Sequence, residues 1–255
     1  MSPAEMALVL LAGTGAGGIN TLVGSGTLIT FPTLLALGVP PVTANVSNNI
    51  GLVSGSVSGA IGYRRELAGQ RARVLRLLSA SLVGGLVGAV LLLVLPDDAF
   101  SAIVPVLIMV GVVLVVLQPR LQRWVAGRRT AAAGDRPAGD PWWAWPAALG
   151  TGVYGGYFGA AQGVILMGVL GIAVDEPLQR LNAVKNVLAA GVNGVAGLLF
   201  VVVADVDWVV VLLIAVGSTL GGVLASAYGR KLPAIVLRCL IVVVGLTAVT
   251  VLLLT

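Results

Sequence analysis

Two glycine-rich stretches decide the fold, VGSGTLITFPTLLALG (Val23–Gly38) and FGAAQGVILMGVLG (Phe158–Gly171). Each contains an apolar segment, Thr27–Leu37 or Val164–Val174, that is too short to cross a bilayer on its own, since a hydrocarbon core about 30 Å thick takes about 20 helical residues. Gly24, Gly26 and Pro32 are predicted to break the first stretch, and Gly159, Gly163 and Gly168 are predicted to weaken the second. Because the stretches occupy matching places in the two halves of the chain, the sequence predicts two related, interrupted units.

The composition is typical of an integral membrane protein. Of the 255 residues, 58% are hydrophobic and only 10% are charged, and the mean hydropathy is +1.05. A soluble domain carries more charge to cover its surface. The 35 glycines suit helices that pack closely against one another in lipid. The lipid bilayer is therefore the predicted environment, and we expect no nucleic-acid partner.

Two features of the composition exclude whole classes of chemistry. The chain has no histidine, which removes the usual proton relay, the commonest metal ligand and any nucleophile that depends on a histidine base. Its single cysteine, Cys239, has no partner for a disulfide or a metal site. We therefore predict no enzyme activity, no metal site and no cofactor.

Ten apolar segments follow one another along the chain, and eight of them are long enough to span a bilayer. They lack the alternation of apolar and polar residues found in outer-membrane barrels, so the predicted fold is an all-α polytopic membrane protein. The segments are roughly Ala4–Val23, Thr27–Leu37, Val42–Gly62, Val74–Leu95, Ala99–Leu117, Trp142–Ala160, Val164–Val174, Leu178–Ala204, Trp208–Tyr228 and Ala234–Leu254.

The positive charges fall in four regions, which the positive-inside rule places in the cytoplasm. These regions are Arg64 to Arg76, Arg120 to Arg136, Arg180 with Lys185, and Arg230 to Arg238. The other loops carry acidic residues and no basic ones: Glu5, Asp97, Asp98, Asp205 and Asp207. The sequence thus predicts a multi-pass protein of the cytoplasmic membrane, with both termini outside and the central loop in the cytoplasm.

Residues separated by 137 positions match between the two halves. This register aligns Gly13, Thr14, Gly15, Gly18, Gly26, Asn45 and Asn49 with Gly150, Thr151, Gly152, Gly155, Gly163, Asn182 and Asn186. Positive charges follow the third segment but precede the eighth, so these two segments run in opposite directions. We therefore predict two inverted-topology repeats of about five helical segments each, including one short broken or re-entrant segment.

The repeats give the predicted domain organisation. An N-terminal transmembrane repeat covers residues 1–118 and a C-terminal one covers residues 142–255. Between them lies a polar segment rich in Ala, Gly and Arg, at residues 119–141, which we predict to be a disordered cytoplasmic linker.

Two polar trios stand in the third and eighth segments: Asn45, Asn48 and Asn49, and Asn182, Lys185 and Asn186. Spacings of three and four residues put each trio on one helical face. A lysine ammonium that faces lipid is costly, so Lys185 should face the interior of the bundle, water or an anion. The alternatives are that Lys185 snorkels to the cytoplasmic interface and that the asparagines only hydrogen-bond between helices.

The breaks offer further donors, because backbone N–H groups at the start of a half-helix attract anions. Ser25 and Gln162 occupy matching positions in the two breaks and could add side-chain donors. The alternative is that the glycines only allow close helix packing. The predicted substrate-binding residues are Gly24, Ser25, Gly26, Asn45, Asn48, Asn49, Gln162, Gly163, Asn182, Lys185 and Asn186.

A family resemblance is carried by five stretches: GGINTLVGSGTLITFPTLLALGVPP, SGAIGYRREL, YGGYFGAAQGVILMGVLG, LNAVKNVLAAGVNGVAGLLF and VDWVVVLLIAVGSTLGGVLASAYGRKLP. Together they resemble the sulfite exporter TauE/SafE family of bacterial and plant membrane proteins. The resemblance implies two related halves and export of sulfite, sulfoacetate or another small organic anion. Two positions depart from it, since Ser25 interrupts an expected glycine triplet and Ala161 stands where glycine is frequent. The resemblance therefore does not fix sulfite as the substrate.

These observations predict a secondary transporter that exports a small anion, such as sulfite or sulfoacetate, by alternating access. The negative cell interior drives an anion outward, at about 2.3 kcal/mol per charge and 100 mV. Proton coupling through Asp or Glu is not expected, because no carboxylate stands near the centre of a segment. An anion channel with the same donors and a structural membrane subunit are the alternatives, and glycine-rich helix faces would permit a homodimer.

Overall fold

The computed structural model describes residues 1–131, 140–228, 239, 241–247 and 249–250, and every regular element in this part is helical. The prediction of an all-α polytopic protein is confirmed. The elements are α1 (Pro3–Leu22), α2 (Thr27–Ala36), α3 (Pro41–Gly62), a short 3-10 turn (Arg64–Leu67), α4 (Arg71–Val94), α5 (Asp97–Ala131), α6 (Ala144–Tyr157), α7 (Gln162–Ala173), α8 (Leu178–Val203) and α9 (Trp208–Tyr228).

Part of the predicted last segment, Ala234–Leu254, is also helical, at residues 241–247 and 249–250. Its remaining residues, apart from Cys239, lie outside the described part of the chain. The basic residues Arg136, Arg230, Lys231 and Arg238 lie outside it as well.

Among the described residues, four helices are long and apolar enough to cross a membrane: α4, residues 97–124 of α5, α8 and α9. The interrupted segments form short apolar helices, with 10 residues in α2 and 12 in α7. The sequence predicts eight segments long enough to span the membrane, but among the described residues only these four helices are both long and apolar enough. Although α3 has 22 residues, three of them are asparagines and four are serines, while α6 is only 14 residues long.

Both breaks lie at backbone positions with positive φ. Gly24, between α1 and α2, has a φ of 89°, and Gly159, between α6 and α7, has a φ of 76°. Ala161 has a φ of 61°, which crowds its Cβ against the backbone. Glycine thus permits the first break, while the second is held with an alanine in a left-handed conformation.

The prediction that Pro32 and Gly168 contribute to the breaks is wrong, because both lie inside continuous helices. The Thr33 hydroxyl, next to the proline, donates to the Ile29 carbonyl at 2.8 Å. This bond reinforces the turn beside Pro32, which itself has no N–H to offer to the Leu28 carbonyl. The Leu121 side chain packs onto Gly168, so this glycine serves the contact between α5 and α7.

The first helix of each half packs along the fourth helix of the other half, α1 along α9 and α6 along α4. Glycines bring the backbones together: a Cβ on Gly17 would overlap Ser218, and one on Gly84 would overlap Leu149. Further along, Gly18 lies near Gly221 and Gly88 near Val153. In each pair, residue numbers at the contacts increase in the same direction along both helices, so the two helices run parallel.

The third helices of the two halves, α3 and α8, cross antiparallel at the centre of the molecule. Ser56 Oγ accepts a hydrogen bond from Asn193 Nδ2 at 3.4 Å, while Ile50 lies against Gly197. Ser56 and Asn193 are themselves 137 residues apart. Matching positions of the two halves therefore meet at this crossing.

The expectation of a disordered linker is wrong for its first part, because α5 continues through Pro119 to Ala131. An interior proline removes one backbone donor and crowds the preceding turn, but the residues that follow, LQRWVA, include several good helix formers. Residues 132–139 of the predicted linker lie outside the described part of the chain.

One end of the bundle is joined by ion pairs. Arg73 at the start of α4 contacts Asp140 at 2.8 Å and Glu176 at 3.3 Å, and Arg180 contacts Glu176 at 2.6 Å. Arg180 also donates to the Ala68 carbonyl at 2.9 Å. These contacts tie the chain before α6 and the turn before α8 to the turn between α3 and α4.

Candidate functional site

Lys185 of α8 is completely buried, with a relative exposure of 0%. Its Nζ donates to the carbonyl oxygens of Asn20 at 2.9 Å and Thr21 at 3.1 Å, in the last turn of α1. In the described ranges, no carboxylate forms an ion pair with this ammonium. The side chain therefore faces the interior and does not snorkel to an interface.

Burying a charge without an opposite charge costs on the order of several kcal/mol. The end of α1 offsets part of this cost, because the last carbonyls of a helix carry a partial negative charge. Asn182 and Asn186 also donate to Thr21 O, at 3.1 and 3.4 Å. Three donors from α8 thus satisfy carbonyls that α1 leaves without a helical partner.

The other half has a related arrangement without a charge. Asn45 of α3 donates to the carbonyl of Tyr157, the last residue of α6, at 2.9 Å. Asn48 hydrogen-bonds to the hydroxyls of Thr27 and Thr30 on α2. The third helix of each half therefore caps the first helix of the other half, and Lys185 stands at the position that matches Asn48.

The two breaks are in direct contact beside Lys185. The Gly163 amide donates to the Gly24 carbonyl at 2.9 Å, and a Cβ on either glycine would overlap the backbone of the other. A Cβ on Gly163 would also lie 3.0 Å from Lys185 Cδ. We call Gly24, Ser25, Gln162, Gly163, Asn182, Lys185 and Asn186 the central cluster.

Several polar atoms of the predicted site are buried without a hydrogen-bond partner in the described part of the chain. They are Ser25 Oγ, Gln162 Nε2, Asn182 Oδ1 and Asn49 Oδ1. Most buried polar groups in proteins are hydrogen-bonded, so unpartnered atoms indicate a ligand, water or a second conformation. Three of these four atoms belong to the central cluster.

The structure divides the predicted site residues into two groups. Asn49 and Asn186 each lie seven residues from the Ser56–Asn193 contact on their antiparallel helices, which is about 10 Å in opposite directions. The backbones of the two trios therefore lie apart along the crossing, although the Asn48 side chain reaches Thr27, three residues after Gly24. Gly26 packs against α1, since a Cβ there would lie 3.1 Å from Asn20 Cβ.

The groups that hold the lysine have no direct signature in the sequence. These are backbone carbonyls at the end of α1, which any residue type supplies. The sequence indicates them only indirectly, because the glycines after Leu22 predict that α1 ends there and leaves carbonyls without a helical partner. Asn20 and Asn193 both bond to Ser56 through their side chains, as expected for amides that join helices.

Comparison with known proteins identifies relatives along nearly the whole chain. The family model described as "Sulfite exporter TauE/SafE" matches residues 9–252. The "Probable membrane transporter protein YfcA" of Escherichia coli (strain K12) is 28% identical over 250 residues, which cover 96% of this chain and 88% of the relative. The "Probable membrane transporter protein ORF9" of Sinorhizobium sp is 27% identical over 248 residues, with coverages of 94% and 89%.

A third relative, the "Probable membrane transporter protein" of Haemophilus influenzae, is 24% identical over 221 residues, with coverages of 87% and 84%. No solved structure matches the chain. The helical architecture, with apolar helices long enough to span a membrane, agrees with these relationships. The chain belongs to the sulfite exporter TauE/SafE family, and it is a membrane transporter of that type.

Proposed function

We propose that this transporter exports a small anion across the cytoplasmic membrane and that the central cluster is its binding site. The observation that carries the proposal is the complete burial of Lys185 without a carboxylate partner in the described residues. An anion at the ammonium would supply the missing opposite charge. The site favours a small oxyanion, because the neighbouring groups are hydrogen-bond donors of amide and hydroxyl type.

The ammonium can accommodate such a ligand without losing all its present partners. A lysine Nζ has three N–H donors, and the bonds to Asn20 and Thr21 account for two of them. The third donor, with Ser25 Oγ and Gln162 Nε2, remains for the anion. If the anion is to bond more than one N–H of the ammonium, the end of α1 must move away from Lys185.

We infer that the halves are inverted repeats and that transport proceeds by alternating access. The antiparallel crossing of α3 and α8 and the reciprocal capping of α1 and α6 support this inference. Transporters with inverted repeats bind their substrate near midplane, where broken helices of the two repeats meet. The contact of Gly24 with Gly163 is such a meeting point.

This conformation corresponds to a closed state in the proposed cycle. Ser25, Gln162, Asn182 and Lys185 are all buried, and the Gly24–Gly163 contact joins the two breaks. The contact is between the backbones of two glycines, so no rotation of a side chain can open it. Opening to either side of the membrane therefore requires the two breaks to move apart. Rocking of one half against the other would separate it first towards one membrane face and then towards the other.

Export is the direction that the membrane potential favours. Moving one negative charge out of the cell releases about 2.3 kcal/mol per 100 mV. In the described residues of the central cluster there is no carboxylate that could carry a coupled proton. The potential and the substrate gradient are therefore the proposed driving forces.

The test is transport of sulfite and of sulfoacetate by the purified protein in proteoliposomes. Replacing Lys185 by Gln keeps hydrogen-bonding groups but removes the charge, and we expect flux to fall by tenfold or more, since one lost charge-assisted bond is worth about 1.5–3 kcal/mol. Arg64→Gln, at an exposed arginine, is the control for removing a positive charge elsewhere. Normal flux in Lys185→Gln would contradict the site, and a linear, non-saturating flux would favour a channel.

A further inference from the structure

The central cluster contains a buried acceptor as well as donors. Asn182 Nδ2 donates to Thr21 O, while Asn182 Oδ1 has no partner among the described residues. The orientation of this amide is fixed by its neighbour, because the Thr21 carbonyl is an acceptor and must face the N–H₂ group. The unpartnered atom is therefore the oxygen.

An anionic oxygen cannot satisfy Asn182 Oδ1, since both atoms are hydrogen-bond acceptors. The ammonium does not satisfy it in this conformation either, because Asn182 Oδ1 has no hydrogen-bond partner among the described residues although one N–H of Lys185 Nζ is free. The cluster thus offers donors for a negatively charged group and one acceptor that needs a donor from the ligand. A simple anion without hydrogen-bond donors would leave that acceptor buried and unpaired.

We propose that the substrate is a small oxyanion that also carries a hydroxyl or N–H group, and that Asn182 Oδ1 accepts a hydrogen bond from that group while Lys185 Nζ holds the anionic end. This inference rests on the proposed function and narrows its substrate class. Asn182 is then the residue that determines specificity. A site built to bond a ligand hydroxyl rejects the analogue without it, because its own polar group is left unpaired.

The test compares anions that have the same charged group and nearly the same size but differ in one donor. Isethionate (2-hydroxyethanesulfonate) is paired with propane-1-sulfonate, and glycolate is paired with propionate. Binding to the purified full chain is measured by thermal stabilisation over a concentration series, and flux is measured in proteoliposomes. In at least one pair we expect wild type to bind the hydroxylated anion about tenfold or more tightly. In Asn182→Leu, which keeps the size but removes the acceptor, that ratio should fall to about one.

The matched control is Asn193→Leu, on the same helix, which removes a buried amide that bonds to Ser56 outside the central cluster and leaves Asn182 in place. This variant should keep the preference of wild type. If Asn182→Leu does not fold, the ratio measured for wild type alone decides the question. Equal binding within both pairs would overturn the inference while the proposed function stands, provided that the anions bind and are transported. If none of these anions binds or is transported, and sulfite and sulfoacetate also fail, both the inference and the proposed function are overturned.

Discussion

The backbones of Gly24 and Gly163 are in contact, and the Gly163 amide donates to the Gly24 carbonyl at 2.9 Å. Neither position has room for a Cβ, which would overlap the backbone of the opposite glycine. The contact joins one break from each half and lies against the stem of Lys185. Two chain segments far apart in sequence therefore depend on each other at the proposed site.

Gly163→Ala should disrupt this contact. The added methyl group would meet Gly24 and Lys185 at once, and overpacking of this kind costs about 1–3 kcal/mol. We expect a lower melting temperature in detergent and a loss of flux. The control is Gly194→Ala on α8, where a Cβ meets nothing within 4 Å and an alanine favours the helix by about 0.5–1 kcal/mol. Equal behaviour of the two variants would contradict the contact.

Ala161→Gly should stabilise the protein. Ala161 has a φ of 61°, and a left-handed backbone costs a residue with a Cβ about 1–2 kcal/mol. The greater flexibility of glycine in the unfolded chain offsets part of the gain, so we expect about 0.5–1 kcal/mol from thermal unfolding. Ala189→Gly, inside α8, is the control and should destabilise. A loss of stability in Ala161→Gly would show that the methyl group contributes packing that outweighs the strain.

Much of the fold could be predicted from the sequence, because hydrophobic segments in a membrane must satisfy their backbone hydrogen bonds as helices. The predicted segment Thr27–Leu37 corresponds to α2 at Thr27–Ala36, and the predicted segment Val164–Val174 corresponds to α7 at Gln162–Ala173. The prediction failed at prolines. Pro119 was expected to begin a linker, yet α5 passes through it because neighbouring residues favour a helix.

The site was predictable only in part. The cost of a charge in lipid correctly placed Lys185 in the interior. Its partners could not be predicted, because the carbonyls of Asn20 and Thr21 belong to the backbone and leave no signal in residue type. The separation of Asn45 from Asn182 was predictable, since each trio stands in the first turns of its helix and the charges predict opposite directions for the two helices.

Arg73→Gln should weaken the end of the bundle where Arg73 pairs with Asp140 and Glu176. These side chains are partly exposed, with relative accessibilities of 9–23%. Ion pairs of this kind contribute up to about 1 kcal/mol and are screened by salt. The melting temperature should therefore drop at low salt and less at high salt. Arg64→Gln is the control, and an equal drop at both salt concentrations would contradict an ionic contribution.

The proposed sidedness can be tested with cysteines at positions 64 and 97, both of which are exposed. The helix α4, which lies between them, has 24 residues and is apolar enough to span the membrane, so the two positions should be on opposite sides whatever the orientation. The arginines around position 64 favour the cytoplasm for that end. In a Cys239→Ser background, a membrane-impermeant maleimide should label Asp97→Cys in intact cells and Arg64→Cys only after permeabilisation. The reverse pattern would invert the proposed orientation, and labelling of both positions from outside would contradict the assignment of α4 as a span.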